Sequence, residues 1–323
     1  MKRPRRFLLL CALFCVSSAI VAPFLGESLD LSDPDHRFIF TELRLPRALL
    51  GLVCGASLGI AGVVLQAILK NPLATPYTLG VSSGAALGVV LSIVLSLHLV
   101  LPPFIGRPLV GVAGALLVIG ITYRAAKVRG RLPPHTLLLA GVALTYLFSA
   151  MILAIQYQAT PDDASRILRW LVGSLEQGEG YHAAAVSGAV LAVSLVLLLP
   201  AGRAFNALSG GEEAALGVGV DVPRVVRRAY LTASCLVGVI VAFVGPIGFI
   251  GLLVPHTLRL LGAVDNRLLL PASALCGAGF LVLCDGATNL LAAPRLPVGV
   301  LTHLLGGPFF LILLLREKRR IFG

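Results

Sequence analysis

The sequence has little charge: Asp, Glu, Lys and Arg together make up 13% of its 323 residues, while hydrophobic residues make up 57%. Soluble globular domains carry roughly 25% charged residues, about twice this fraction. The mean hydropathy of +0.95 points in the same direction. The low charge excludes a soluble protein of ordinary composition and indicates a polytopic membrane protein.

The motifs of common catalytic and metal sites are also absent. No lysine follows a glycine or precedes a serine or threonine, so the chain has no Walker A phosphate loop. The six histidines show no HExxH or similar metal-binding spacing, and the six cysteines form no CxxC pair. We therefore expect this chain to have no enzymatic activity, no metal site and no cofactor.

Long uncharged runs predict the transmembrane segments, because a helix needs about 20 residues to cross the bilayer core. The predicted spans are 7–26, 48–68, 77–98, 108–123, 136–157, 181–200, 229–245, 248–262, 269–285 and 297–315. The expected fold is all-α, with one transmembrane domain of ten helices over residues 1–323. The N-terminus also has features of a secretory signal peptide, but its apolar run continues to Leu25, which favours a first span.

The charges are divided unequally between the two sides of this arrangement. With the N-terminus in the cytoplasm, the cytoplasmic segments contain 19 of the 26 basic residues and five of the 15 acidic residues. Cytoplasmic loops of membrane proteins are rich in Lys and Arg. The bias predicts that both termini are cytoplasmic, and it accounts for the net charge of +11 without any binding of nucleic acid.

Residues 44–88 contain two apolar helices with small residues at helical spacing. The glycines recur every four residues, at Gly51, Gly55 and Gly59 and again at Gly80, Gly84 and Gly88. Small residues one turn apart allow helices to pack closely in a bilayer. We assign these glycines, with the polar Gln66 near the end of the first helix, to helix packing or to the lining of a path. A polar turn from Asn71 to Pro76 separates the two helices.

Residues 229–258 contain no Asp, Glu, Lys or Arg, and they are too long for one span and short for two. Gly245, Pro246 and Gly248 lie in the middle, where a regular helix is difficult to continue. Two interpretations stay open. One is a tight turn on the outer side; the other is a discontinuous helix at membrane depth, which often marks a translocation path.

The longest predicted cytoplasmic segment lies between the sixth and seventh spans. It contains the sequence GGEEAALG from Gly210 to Gly217. We expect Ser209 to cap a short helix with Glu212 and Glu213 in its first turn. Such a helix would offer a docking element to a soluble partner, and the alternative is a solvated loop.

Several longer motifs resemble one family of transport proteins, the FecCD-type permeases of type II ABC importers. These motifs are RLPR at 44–47, QAILKNPLATPYTLGVSSGAALG at 66–88, LLLAGVAL at 137–144, WLVGSL at 170–175, LGV at 216–218, GPIGFIGLLVPHTLRLLG at 245–262 and LPVGVLTHLLGGPFFLILL at 296–314. They follow the order of the family over nearly the whole chain, so the resemblance is specific.

The resemblance implies a permease that pairs with a second copy around a central path, with two ATPase subunits below and a substrate-binding protein above. Arg44 and Arg47 match arginines that receive acidic residues of the binding protein, and interfacial snorkelling is the alternative. Asn71 and Leu73 match the turn that narrows the cytoplasmic end of the path. Residues from about 205 to 226 match the segment that couples to the ATPase, centred on Glu212, Glu213, Ala214, Ala215, Leu216 and Gly217.

The sequence departs from the family pattern at several positions. Asn289 stands where relatives often have arginine, four residues after Asp285, and Arg295 stands where they often have an acid. We expect Arg295 to take a docking role at the outer surface. An acid such as Asp285 is costly in lipid and should face a partner or cavity. Pro133 and Pro134 replace small hydroxyl residues that help to close the path in relatives, which leaves their role in gating open.

These features predict the permease subunit of an ABC importer in the cytoplasmic (inner) membrane of a bacterium or archaeon, in contact with membrane lipid. An iron–siderophore complex is the first candidate for the cargo, and cobalamin and haem are alternatives. Two other classes of protein predict different patterns. An ion-driven secondary transporter would need a relay of charged residues within the membrane, and a membrane-embedded enzyme would need clustered His, Asp and Glu; the chain offers neither pattern.

Overall fold

The computed structural model describes residues 4–26, 30, 32–96, 103–178, 180–291 and 296–322. In this part of the chain the α-helices are α1 (Pro4–Val21), α2 (Pro34–Phe38), α3 (Leu45–Ile68), α4 (Val81–Val94), α5 (Pro103–Ala126), α6 (Pro134–Gln158), α7 (Pro161–Leu171), α8 (Gly180–Leu198), α9 (Gly202–Ser209), α10 (Glu212–Gly217), α11 (Val222–Val244), α12 (Ile250–Leu260), α13 (Asn266–Thr288) and α14 (Val298–Phe322). A π-helical turn, Ile39–Arg44, leads directly into α3.

Among the described residues, seven helical segments are long and apolar enough to cross a membrane: Pro4–Phe24, Pro34–Ile68, Ile105–Ala126, Pro134–Gln158, Gly180–Leu198, Val222–Val244 and Asn266–Thr288. Three apolar helices are shorter: Val81–Val94, Ile250–Leu260 and Val298–Ile312. Each predicted span overlaps one of these segments. The structure therefore confirms an all-helical, polytopic fold, whereas ten crossings and cytoplasmic termini stay predictions.

Several helices begin where the sequence supplies a side-chain acceptor for a free backbone N–H. Asp221 accepts from the N–H of Arg224 at 3.1 Å ahead of α11, and Asp265 accepts from that of Arg267 at 2.9 Å ahead of α13. Such N-caps satisfy donors that have no partner inside the helix. They fix the start of both helices on the side of the molecule that also holds α9 and α10.

Helix α3 lies at the centre of the bundle. In the span that contains it, 83% of the apolar stretch is buried within the chain, compared with 17% in α6. A Cβ atom at Gly55 would lie 2.1 Å from the carbonyl oxygen of Gly277 in α13, and one at Gly59 would lie 2.3 Å from that of Ser273. The glycines thus let the two backbones touch, which is how small residues hold helices together in a bilayer.

The second glycine series serves a different pair of helices. A Cβ atom at Gly84 would lie 2.6 Å from the carbonyl oxygen of Gly114 in α5, and one at Gly88 would lie 2.3 Å from that of Val110. Gly80 instead ends the turn before α4 with a φ of +75°, a left-handed conformation that favours glycine. Gly51 is less tightly enclosed, since its nearest neighbour is the side chain of Leu175 at 3.0 Å.

The uncharged stretch around Gly245 is a break between two helices. Helix α11 ends at Val244, and α12 starts at Ile250 after two residues with positive φ, Gly245 at +73° and Phe249 at +67°. Most of the break is buried. The carbonyl of Ile247 accepts a hydrogen bond from the Tyr77 hydroxyl, so the irregular backbone has protein partners.

The depth of this break distinguishes the two interpretations. A Cβ atom at Gly62 would lie 1.9 Å from the carbonyl oxygen of Gly251, which places the start of α12 beside the second half of α3. At 1.5 Å per residue, Gly62 lies about 25 Å along α3 from its N-terminal end, which we call the outer end after the predicted orientation. A tight turn outside the bundle would not reach this depth. The structure therefore favours the discontinuous helix, with irregular backbone buried in protein.

Candidate functional site

The outer end of α3 holds a network of three charged side chains. Arg47 donates to both carboxylate oxygens of Asp285, from Nε at 2.6 Å and from Nη2 at 2.7 Å, and its Nη1 donates to Glu176 at 2.6 Å. The side chains of Arg47 and Asp285 are 14% and 6% exposed, whereas that of Glu176 is 53% exposed. Asp285 thus faces a charged partner inside the protein, and Arg47 is already bound to two carboxylates.

The other predicted docking arginines lie apart from this network. Nη1 of Arg44 donates to the carbonyl oxygen of Pro23 at 3.1 Å, which ties the start of α3 to the segment after α1. Arg295 lies outside the described residues. At the end of α13, Asn289 packs against Gly26, where a Cβ atom would lie 2.9 Å from the Cβ of Asn289. The docking role of the arginines stays a prediction.

At the opposite end of α3, the polar turn is held by its own backbone and side chains. Lys70 adopts a positive φ of 51°, and the Oδ1 of Asn71 accepts from the N–H of Leu73 at 2.9 Å. The carbonyl of Asn71 accepts from Ala74 at 3.0 Å. Asn71 therefore shapes this turn from within, whereas Leu73 is 41% exposed. We call residues 70–76 the inner turn.

The inner turn is linked to the predicted coupling segment. Nζ of Lys70 lies 3.5 Å from Oε1 of Glu212, the first residue of α10. Both side chains are partly exposed, so this is a screened ion pair of the kind found at protein surfaces. Nothing in the spacing of Lys70 and Glu212 along the sequence indicates the pair. The inner turn and the predicted coupling segment, which are far apart in the sequence, thus meet in the structure.

The coupling segment contains two short helices, α9 and α10. The expected cap at Ser209 is wrong: its hydroxyl donates back to the carbonyl of Phe205 at 3.0 Å, within α9. Helix α10 begins instead after Gly211, whose φ is +111°, without a side-chain cap. Gly210 and Gly211 turn the chain between the two helices. Ser209 is therefore the last residue of α9 and does not cap α10.

Helix α10 presents most of its surface to the outside. Ala215 is buried, whereas Glu213, Ala214, Leu216 and Gly217 are exposed. A cavity of about 190 Å³ separates α10 from the loop before α6, and Pro133, Glu212 and Leu216 line it. Pro133 therefore faces the coupling helix, and Pro134 starts α6. Neither contact decides the role of the two prolines in gating.

A larger cavity lies beside the inner turn, and we call it the inner cavity. Its volume is about 800 Å³, and its walls come from the end of α3, the inner turn, the α9–α10 linker and the ends of α12 and α13. The buried Gln66 reaches it from α3, where its Nε2 donates to the carbonyl of Gly251 at 3.1 Å. Its Oε1 accepts from Arg259 of α12. In the sequence, Arg259 stands out only as one of the basic residues that predict the cytoplasmic side.

Comparison with known proteins identifies relatives over most of the chain. The sequence is 39% identical to an uncharacterized ABC transporter permease, YvrB of Bacillus subtilis, over 296 residues that cover 91% of this chain and 83% of that protein. It is 42% identical to the cobalamin import system permease BtuC of Halobacterium salinarum over 284 residues, covering 88% and 75%.

Two further matches agree with these. The hemin transport system permease HmuU of Yersinia pestis is 39% identical over 294 residues, covering 88% of this chain and 85% of that protein. A solved structure described as an inward-facing metal-chelate type ABC transporter superposes with a TM-score of 0.87 and 29% identity, covering 96% of this chain and 99% of the other. The sequence model of the FecCD transport family matches residues 6–316, and the chain belongs to that family.

Proposed function

We propose that this chain, a permease of an ABC importer of the FecCD family, moves a bulky metal chelate across the cytoplasmic membrane. An iron–siderophore complex is the first candidate for the cargo, and cobalamin and haem are the alternatives. The relatives from Halobacterium salinarum and Yersinia pestis are named for cobalamin and hemin, and the similar structure for metal chelates. These names support the chelate class and give no preference to the siderophore.

The observation that carries the mechanism is the contact between the inner turn and the coupling segment. Lys70 and Asn71 are consecutive, and Lys70 pairs with Glu212 of α10 at 3.5 Å. A displacement of α10 by a bound ATPase subunit would therefore act directly on the turn that carries Asn71 and Leu73. In this proposal, the turns of two copies close the cytoplasmic end of a shared path.

We propose that the transport path runs along helices whose apolar faces are exposed in the single chain. Helix α6 leaves a broad apolar face, with Leu139, Tyr146, Leu153 and Tyr157 more than half exposed. Helix α3, in contrast, is covered by the chain's own helices. We therefore place α6 nearest to the path.

The proposed assembly contains two copies of this chain, two ATPase subunits and one substrate-binding protein on the outer side. An acid of the binding protein that approaches Arg47 would compete with the exposed Glu176 rather than with the buried Asp285. Charged contacts at such a rim favour the rate and register of association more than the affinity. Arg44 and Arg295 complete the proposed docking surface.

Reconstitution tests this function. The chain is incorporated into proteoliposomes with its cognate ATPase inside and its binding protein outside, and uptake of a ferric siderophore, cobalamin and haem is measured separately. We expect uptake of one of them to require ATP and to be blocked by vanadate. Uptake driven by a proton gradient in the absence of ATP would support a secondary transporter and overturn the proposal.

A further inference from the structure

The inner cavity contains the guanidinium group of Arg259, whose hydrogen-bond partner is a neutral side chain. Arg259 lies in the last turn of α12, and its Nη1 donates to the neutral amide oxygen of Gln66. Within the described part of the chain, no Asp or Glu forms a salt bridge with Arg259. Because a guanidinium has five N–H donors, most of its hydrogen-bonding capacity is left for another group.

The other charges of the cavity do not neutralise Arg259. The carboxylate of Asp265 is occupied by Arg267, whose Nη2 lies 2.6 Å away, and by Asn206, whose Nδ2 donates at 2.6 Å. Lys70 adds a second positive charge, and its Nζ lies 3.5 Å from Oε1 of Glu212. Because Lys70, Arg259 and Asp265 are the charged residues that line it, the cavity carries a net positive charge.

The helix dipole explains the position of Arg259 only in part. A cation near the C-terminus of a helix is stabilised by the partial negative charge there. The helix dipole would stabilise Arg259 equally well without a cavity next to its guanidinium group, so it does not explain the cavity. Here Arg259 and Lys70 line a cavity of about 800 Å³ together with Ser209, Gly210 and Gly211, which join α9 to α10. The two basic side chains thus line the same cavity as part of the segment proposed to bind the ATPase.

We propose that the inner cavity receives an Asp or Glu side chain of the ATPase subunit, which pairs with Arg259. A carboxylate fits the planar guanidinium through two parallel hydrogen bonds, and charge-assisted bonds of this kind are the stronger ones. This inference rests on the proposed function, since it requires an ATPase at α10. It adds a second contact beside the coupling helix and states the chemistry of the residue that fills it.

The test measures the affinity of the cognate ATPase for the full-length chain in nanodiscs at several salt concentrations. We expect Arg259→Gln to weaken binding at least about 10-fold, because a charge-assisted hydrogen bond to the carboxylate is lost. Arg259→Lys should retain part of the affinity as a point charge without the planar fork. Arg203→Gln is the matched control, since this exposed arginine of α9 carries the same charge and does not line the inner cavity, and it should bind like the wild type.

Each other result has a definite meaning. If the wild-type chain does not bind the ATPase, the proposed function itself fails. If it binds and Arg259→Gln binds equally well, only the carboxylate contact is refuted. An effect of Arg259→Gln that appears only with anionic lipid would assign the cavity to a lipid headgroup and overturn the proposal.

A structural role is tested with Gln66→Leu, which removes the intramolecular partner of Arg259 and keeps its charge. We expect this variant to bind the ATPase at least as well as Arg259→Lys. Equal loss of affinity and of thermal stability in Gln66→Leu and Arg259→Gln would show that the contact serves folding, and it would refute the proposal.

Discussion

The two ends of α3 hold an arginine in opposite ways. At the outer end, Arg47 is bound by two carboxylates of the same chain, of which Asp285 is buried. At the inner end, Arg259 of α12 donates to the neutral amide of Gln66, beside a large cavity, and forms no salt bridge with an Asp or Glu in the described part of the chain. A charged side chain whose counter-charges lie in the same chain holds a fixed intramolecular contact. A charged side chain with only a neutral partner favours binding to an acidic group of another protein. The comparison indicates a fixed scaffold at the outer end and a partner-dependent contact at the inner end.

The largest effect is expected from breaking the outer network. Arg47→Met should remove two hydrogen bonds to the buried carboxylate of Asp285, and breaking a buried ion pair costs about 3–5 kcal/mol. We expect a lower thermal midpoint of the purified protein, measured by the loss of helical circular dichroism. A second variant with both Arg47→Met and Asp285→Leu removes both charges and should recover most of the loss. If Arg47→Met alone is as stable as the wild type, the outer network is not a scaffold.

The middle of α3 should tolerate few changes, because it joins the two ends as a rigid element. Gly55→Ala places a Cβ atom 2.1 Å from the carbonyl oxygen of Gly277 and forces α3 and α13 apart. Overpacking of this kind costs about 1–3 kcal/mol. Gly120→Ala in α5 is the control, since no atom lies within 4 Å of the added Cβ. The same unfolding measurement should show a loss for the first variant and none for the second.

The ion pair between the inner turn and α10 should affect transport more than stability. Lys70→Glu places two negative charges together, and we expect ATP-driven uptake to fall several-fold while the thermal midpoint changes little. The exchanged pair, Lys70→Glu with Glu212→Lys, should recover uptake. Arg224→Gln is the control, since it removes an exposed ion pair of 3.3 Å in the same segment and keeps the cap that Asp221 provides. Equal uptake in all of these variants would show that the ion pair between the inner turn and α10 has no role in transport.

The smallest effect concerns pH at the inner face. Hydrogen bonds from Arg267, and next from Asn206, hold the pKa of Asp265 well below its usual range. A lowered pKa adds stability above the pKa of the unfolded state, near 3.9, and this stability is lost as the pH falls below that value. Asp265→Asn should therefore be slightly less stable than the wild type at pH 7, and the difference should shrink below about pH 4. A stability difference that does not change with pH would show that packing, and not the charge of Asp265, causes the effect.

The sequence predicted the helices better than the contacts between them. The uncharged runs located each apolar segment, because burial in lipid and helix length both follow from local composition. The outer network joins Arg47 to Asp285, which is 238 residues away in the chain, and no local pattern reveals such a pairing. The sequence also placed the break at Gly245 but not its depth, which becomes visible only from the contact between Gly62 and Gly251.

The role of Gln66 shows a second limit. A polar residue at the end of an apolar helix is compatible with a path or with packing, and its partners decide between them. In the structure Gln66 is buried and bridges the carbonyl of Gly251 and the guanidinium of Arg259. The expected cap at Ser209 failed for a related reason, since the left-handed Gly211 sets the start of α10. Side-chain geometry of this kind requires the three-dimensional fold.

Hydrogen–deuterium exchange of the chain in nanodiscs, with and without its ATPase, tests the difference between the two ends most directly. We predict that the ATPase protects backbone amides in the inner turn, in the coupling segment at 205–217 and in residues 259–265, while exchange at 44–51 stays unchanged. Protection confined to the outer end, or no change at the three inner segments upon ATPase binding, would contradict the account.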